Sequence, residues 1–131
     1  MNEKFYNLGL KCAVLMSDFY EWQDRYLYIK LMTDYLDSEI TFNNFDEKFL
    51  LIWSANRDKE KPWEEFLFII NNFELNKFEG FSALTSKIMT DLEIVETNSF
   101  LEDYQITEKE FKNRIKIILL EMKNKYSKFE S

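Results

Sequence analysis

Apolar residues recur at steps of three and four along most of this chain, which is the spacing of one helix face and not of a strand. Phe5, Leu8, Cys12, Leu15, Met16 and Phe19 predict a first helix from Asn2 or Glu3 to about Tyr20. Tyr28, Leu31, Met32, Tyr35 and Leu36 predict a second from about Arg25 to Asp37. A break near Trp22-Gln23-Asp24, with Asp24 as N-cap, would separate the two, and one long helix through both fits the same pattern. A loop over residues 38–41 leads to a third helix, for which Thr41 or Asn43 can cap the orphan amides. Its stripe is Phe42, Phe45, Phe49, Ile52 and Trp53, and it runs to about Asn56.

Arg57 to Lys61 is a charged loop, and Pro62 suits the first turn of a fourth helix. Glu64 and Glu65 follow it, where acids oppose the helix dipole. Phe66, Phe68, Ile69, Ile70 and Phe73 are expected to bury this helix. Gly80 marks a turn, and Phe81 to about Leu92 forms a fifth helix with Leu84, Ile88, Met89 and Leu92 inward. The stretch from Glu93 to Ile106 is polar, has no clear period and reads as a long loop. Thr107-Glu108-Lys109-Glu110 is a capping box that opens the last helix, whose inner face is Phe111, Ile115, Ile118, Leu119, Met122 and Tyr126.

Composition supports the helical reading. Two glycines and one proline among 131 residues are too few for the turns of a β-sandwich, a barrel or a parallel α/β fold. The expected fold is all-α, a single antiparallel helical bundle of four to six helices, with residues 1–131 forming one domain. No repeat, low-complexity tract or linker divides it.

Histidine is absent, which removes His-based nucleophile systems, His general bases and His metal ligands. Cys12 stands alone, so no internal disulfide or Cys-cluster zinc site can form, and core filling is its expected role. Gly9 and Gly80 cannot make a phosphate-binding loop. The adjacent carboxylate pairs Asp46-Glu47, Glu64-Glu65 and Glu102-Asp103 diverge by about 100° when helical, so they do not converge on a substrate. No EF-hand pattern is present. The expectation is a non-enzyme with no cofactor and no metal.

The net charge of -7 repels nucleic acid and anionic lipid, so direct contact with either is not expected. No apolar run approaches the length of a bilayer-spanning helix and no secretory signal is visible, which points to the cytoplasm. Charge is unevenly spread: residues 1–108 are strongly acidic, whereas residues 109–131 are net basic and read as a solvated helix face. The stretch from Asp91 to Glu110 holds seven acids against the single base Lys109, with Phe100, Leu101, Tyr104 and Ile106 interleaved. As a surface it offers carboxylates to a cationic groove, and a carboxylate pairs with Arg or Lys much as a phosphate does. Trp53, Trp63 and Tyr104 sit near helix ends or in loops, where an aromatic ring can anchor a partner.

Two runs carry a family resemblance. Tyr35-Leu36-Asp37-Ser38-Glu39-Ile40-Thr41, followed by Phe45, resembles a helix exit and start in colicin-D-type immunity proteins. Asp91-Leu92-Glu93, then Glu102-Asp103-Tyr104-Gln105-Ile106-Thr107-Glu108-Lys109-Glu110-Phe111, resembles that family's acidic approach to its last helix. The resemblance covers about residues 24–126 and implies a small helical bundle whose acidic surface plugs the active site of a tRNA-cleaving toxin domain. It further implies that Asp91, Glu93, Glu102, Asp103 and Glu108, with Tyr104 beside them, face the cationic nuclease toxin. The free protein is expected to be a monomer. The other function expected from the residues is a helical adaptor or assembly subunit, held to a protein partner by exposed aromatic residues around Trp53 and Trp63.

Overall fold

The computed structural model of the protein describes residues 3–96 and 101–126, with side chains from residue 11 onward. Phe5, Leu8 and Phe100 fall outside the described side chains. Among the described residues the chain is mostly helical: α1 (Glu3–Gln23), α2 (Arg25–Leu36), α3 (Phe42–Arg57), α4 (Trp63–Asn72), α5 (Phe81–Ile94) and α6 (Glu108–Lys125). A short 3₁₀ turn (Leu75–Lys77) links α4 to α5. The acidic stretch expected as a loop contains two strands, β1 (Val95–Glu96) and β2 (Ile106–Thr107), paired in parallel with Val95 opposite Ile106. No described helix is long and apolar enough to cross a membrane.

The core follows the apolar stripes. Helix α1 packs on α3, α4 and α5, and α2 packs on α3 and α6. Tyr35, Phe45 and Phe111 meet where α2, α3 and α6 converge: Tyr35 stacks on Phe45 at 4.8 Å, and Phe111 lies 5.9 Å from each. A second knot joins α1 to the turn before α5, with Phe19 at 5.2 Å from Phe78 and 4.7 Å from Phe73. Offset and edge-on ring pairs of this kind add to the burial energy of the rings themselves. All six positions named for the inner face of α6 are buried, as are four of the five named for α2.

Helix boundaries show where local chemistry decides. Asp24 alone separates α1 from α2, and its side chain makes no cap; its carboxylate instead accepts from Asn56 Nδ2 at 3.0 Å. Asp24 thus stands at the expected N-cap position of α2, but its side chain ties the helix to α3, where Asn56 Nδ2 also lies 3.1 Å from the Tyr28 hydroxyl. Thr41 caps α3 by accepting from the Asn44 amide at 3.2 Å, and Thr107 caps α6 by accepting from the Glu110 amide at 3.0 Å. The Glu110 carboxylate is directed to Arg114, accepting from its Nε at 3.2 Å. Helix α2 ends in a Schellman turn, with the Glu39 amide donating to the Asp34 carbonyl, the Ser38 amide to that of Tyr35, and Ser38 at φ 62°.

Helix α4 departs from expectation. Only Phe66 and Ile69 are buried in it, whereas Phe68 is 58% exposed and Ile70 and Phe73 are also exposed. Apolar residues occupy more of its circumference than one core can cover.

Candidate functional site

The turn of α5 into β1, the loop before β2 and the start of α6 come together through the β1–β2 pair, which sets Glu96 opposite Thr107. Gln105 fixes the loop from within. Its Oε1 accepts from the Glu102 amide at 2.9 Å, its own amide donates to the Glu102 carbonyl at 3.0 Å, and its Nε2 donates to Glu96 Oε2 at 3.2 Å. This holds Glu102, Asp103 and Tyr104 on an ordered turn with all three side chains exposed, Tyr104 at 68%. Neither the Glu102 nor the Asp103 carboxylate has an ion-pair partner among the described residues, and the same holds for the exposed Glu93 at the end of α5.

The other two expected site residues are placed differently. Glu108 is half-buried, and its negative charge adds to burial in raising the hydroxyl pKa of Tyr35 behind it. Asp91 points inward and is buried. Its Oδ1 accepts from Arg114 Nη1 at 2.8 Å, so its charge is met within the molecule and it clamps α5 to α6. Asp91 lies on the α5 stripe with Leu84, Ile88 and Leu92, which aims it at α6. Glu93, Glu102, Asp103 and Tyr104 are thus exposed and Glu108 half-buried, whereas Asp91 is held inside the fold by Arg114. Trp53 is half-buried, with Arg57 over its ring at 5.0 Å, while Trp63 is 51% exposed.

A second acidic cluster escaped the reading of the sequence. Asp18 and Glu21, one turn apart on α1, are 1% and 5% exposed. Asp18 caps the N-terminus of α5 across 62 residues of chain: Oδ2 accepts from the Gly80 amide at 2.9 Å, and Oδ1 accepts from the Ser82 amide at 2.8 Å and from the Ser82 hydroxyl. Gly80 leaves α5 without a side-chain cap of its own, and a carboxylate suits the positive end of a helix. Glu21 meets the Thr85 hydroxyl, which also lies 3.0 Å from the Ser82 carbonyl. The Thr85 hydroxyl is the donor to Glu21 Oε1, which favours the ionised carboxylate and works against its burial. Burial pushes the Glu21 carboxyl up to about 7, the Asp18 charge adds to the rise, and the Thr85 contact and Lys61 oppose it. Glu21 opens on a groove of about 320 Å³ between α1, α3 and α5, rimmed by Trp53, Arg57 and Lys61. The usable signal was the position of Asp18 and Glu21 beside Met16, Phe19 and Trp22 on the buried side of α1.

Among the described residues no three acidic or cysteine side chains are arranged to hold a metal ion. Comparisons with protein-family models, with curated proteins and with solved structures find no match.

Proposed function

We propose that this chain is a binding protein without catalysis of its own, an immunity- or antitoxin-type inhibitor of a cationic tRNA-cleaving toxin in the cytoplasm. In this reading the helices act as an antiparallel bundle that carries an acidic surface. Glu93, Glu102, Asp103 and Glu108, with Tyr104 as the aromatic anchor and Asp91 as their brace, enter the nuclease groove in place of the RNA backbone. The observation that carries the reading is the Gln105-pinned turn, which presents an exposed tyrosine together with two exposed carboxylates that have no ion-pair partner among the described residues. A preformed surface loses little entropy on binding, and its charge speeds encounter with a basic partner.

The test is capture of a nuclease from the native host, followed by an RNase inhibition assay. Glu102→Lys with Asp103→Lys should weaken inhibition by about 100-fold or more, since reversing desolvated charges costs several kcal/mol. Circular dichroism should show the helices intact. Equal inhibition by the doubly reversed protein refutes the proposal. A second reading is a helical adaptor, and the exposed row on α4 favours it: Trp63, Phe68 and their neighbours form an apolar surface of the kind that holds a protein partner. In that case substitution on α4, and not on the acidic turn, abolishes co-purification with the partner.

A further inference from the structure

The groove above Glu21 is a trough with three helical walls. Val14, Ser17 and Glu21 of α1 form its floor, Trp53 and Arg57 of α3 one side, and Ser82 and Ser86 of α5 the other. Steps of three and four residues align each row along its helix. The volume of about 320 Å³ is at the small end of the range for ligand sites. Glu21 is 5% exposed, and its only hydrogen bond among the described residues comes from the Thr85 hydroxyl to Oε1. Oε2 has no such partner and is not sealed from solvent, so it is reached through the trough. A buried carboxylate bonded on one side alone is costly, and a donor entering from outside relieves that cost. Three charged residues line the trough: Glu21, Arg57 and Lys61. Lys61 Nζ donates to the Arg57 and Lys59 carbonyls at 3.2 Å each, which leaves one of its three N–H donors. No ion pair joins Lys61 to Glu21 among the described residues. Lys61 is the weakest of the influences on Glu21, and Asp18 adds a second negative charge nearby. Arg57 is exposed at the rim, paired with Asp58 at 3.1 Å.

We propose that this trough binds a free aliphatic amino acid. The ligand ammonium donates to Glu21 Oε2, the ligand carboxylate accepts from the remaining Lys61 donor, and the aliphatic side chain lies along Trp53 and Val14. The order of charges selects this class. An acid on the floor takes the positive end of a ligand, and cations at the rim take the negative end. A plain amine meets Glu21 but offers nothing to Lys61. A plain carboxylate meets Lys61 but faces the charges of Glu21 and Asp18. A molecule that carries both charges close together leaves neither side unmet. Trp53 is half-buried and Val14 is 56% exposed, so both present apolar surface to the trough. The inference goes beyond the proposed function, because neither the acidic turn nor α4 contributes a lining residue.

NMR titration of the isotope-labelled full chain at neutral pH tests it. Leucine is the probe, with isoamylamine and isocaproate as analogues that each lack one of its charges. Leucine should shift the amides of Ser17, Glu21 and Ser86 and saturate in the millimolar range. Each analogue should bind about tenfold or more weakly, since each forfeits one charge-assisted contact. Glu21→Gln keeps the size of the side chain and removes its charge, and should weaken leucine binding about tenfold or more. Ser86→Phe fills the trough from an exposed position on α5, and should weaken binding as well. Circular dichroism should show the helices intact in both variants. Leucine that gives no saturable shift overturns the inference, as does native affinity in either variant. Isoamylamine binding as tightly as leucine marks a plain cation site, and isocaproate binding as tightly marks an anion site at Lys61. Either result also overturns it.

Discussion

The Glu21→Gln substitution should stabilise the protein at neutral and alkaline pH and remove part of its pH dependence. A glutamine has the shape of the protonated carboxyl, its side-chain oxygen can still accept from the Thr85 hydroxyl, and it does not titrate. In the folded chain burial raises the Glu21 carboxyl from an ordinary value of 4.5 to about 7. The folded state therefore binds the proton more tightly than the unfolded state. The stability this contributes is fully present below about pH 4.5 and is lost as pH rises through about 7. At about 1.4 kcal/mol per pH unit, the full interval is worth on the order of 3 kcal/mol. Urea unfolding of native and variant protein should give similar stabilities near pH 4.5. The variant should lead by about 2–3 kcal/mol near pH 8. Carboxyl carbon shifts of Glu21 followed by NMR should titrate near neutrality. Other carboxylates titrate too, but they do so in both proteins and cancel in the difference. A native-minus-variant difference that stays constant with pH refutes the reasoning, because Glu21 would then ionise normally within the fold.

Asp18→Asn should cost about 1–3 kcal/mol, since an amide offers one acceptor oxygen where two now serve Gly80 and Ser82, and its NH₂ faces donors. Hydrogen exchange should quicken at the Gly80 and Ser82 amides. Gly80→Ala should cost about 1–3 kcal/mol by urea unfolding, because Gly80 sits at φ 89° and an added methyl meets the Tyr126 hydroxyl, itself donating to the Glu79 carbonyl at 2.7 Å. Ser38→Gly should raise stability by about 0.5–1 kcal/mol, as the left-handed residue closing α2 loses its side-chain penalty.

The helices were legible because each inner stripe repeats at helical spacing, and α2 and α6 bury nearly the residues that the pattern names. Short-range chemistry was legible as well: Thr41, Thr107 and Gly80 stand where the chain starts or turns. What escaped depends on contacts distant in sequence. Nothing near Asp18 announces that it caps a helix beginning at Phe81, and nothing near Asp91 announces Arg114. The two-residue strands escaped because a lone parallel pair leaves no alternation to read. Helix α4 misled for the opposite reason: its apolar content exceeds what one face can bury, and hydrophobicity alone does not say which side meets the core.

The acids of this chain do two kinds of work, and the distinction governs how any experiment on its charge must be read. Asp18, Glu21, Asp24 and Asp91 are engaged by amides, hydroxyls, Asn56 and Arg114 inside the fold, where an unmet charge is expensive. Glu93, Glu102 and Asp103 are exposed and have no ion-pair partner among the described residues, so altering them should leave stability within about 0.5 kcal/mol. Loss of inhibition on changing Asp91 would therefore accompany a loss of stability, through Arg114 and the α5–α6 clamp. Loss on changing Glu102 and Asp103 should occur with the unfolding midpoint unmoved. Removing Asp91 leaves Arg114 bonded to Glu110 alone among the described residues and loosens α5 against α6, so under the proposed function inhibition should fall in step with the unfolding free energy. If instead Asp91→Asn abolished inhibition at unchanged stability, Asp91 would be a contact residue after all, and α5 and α6 would have to part when the partner binds.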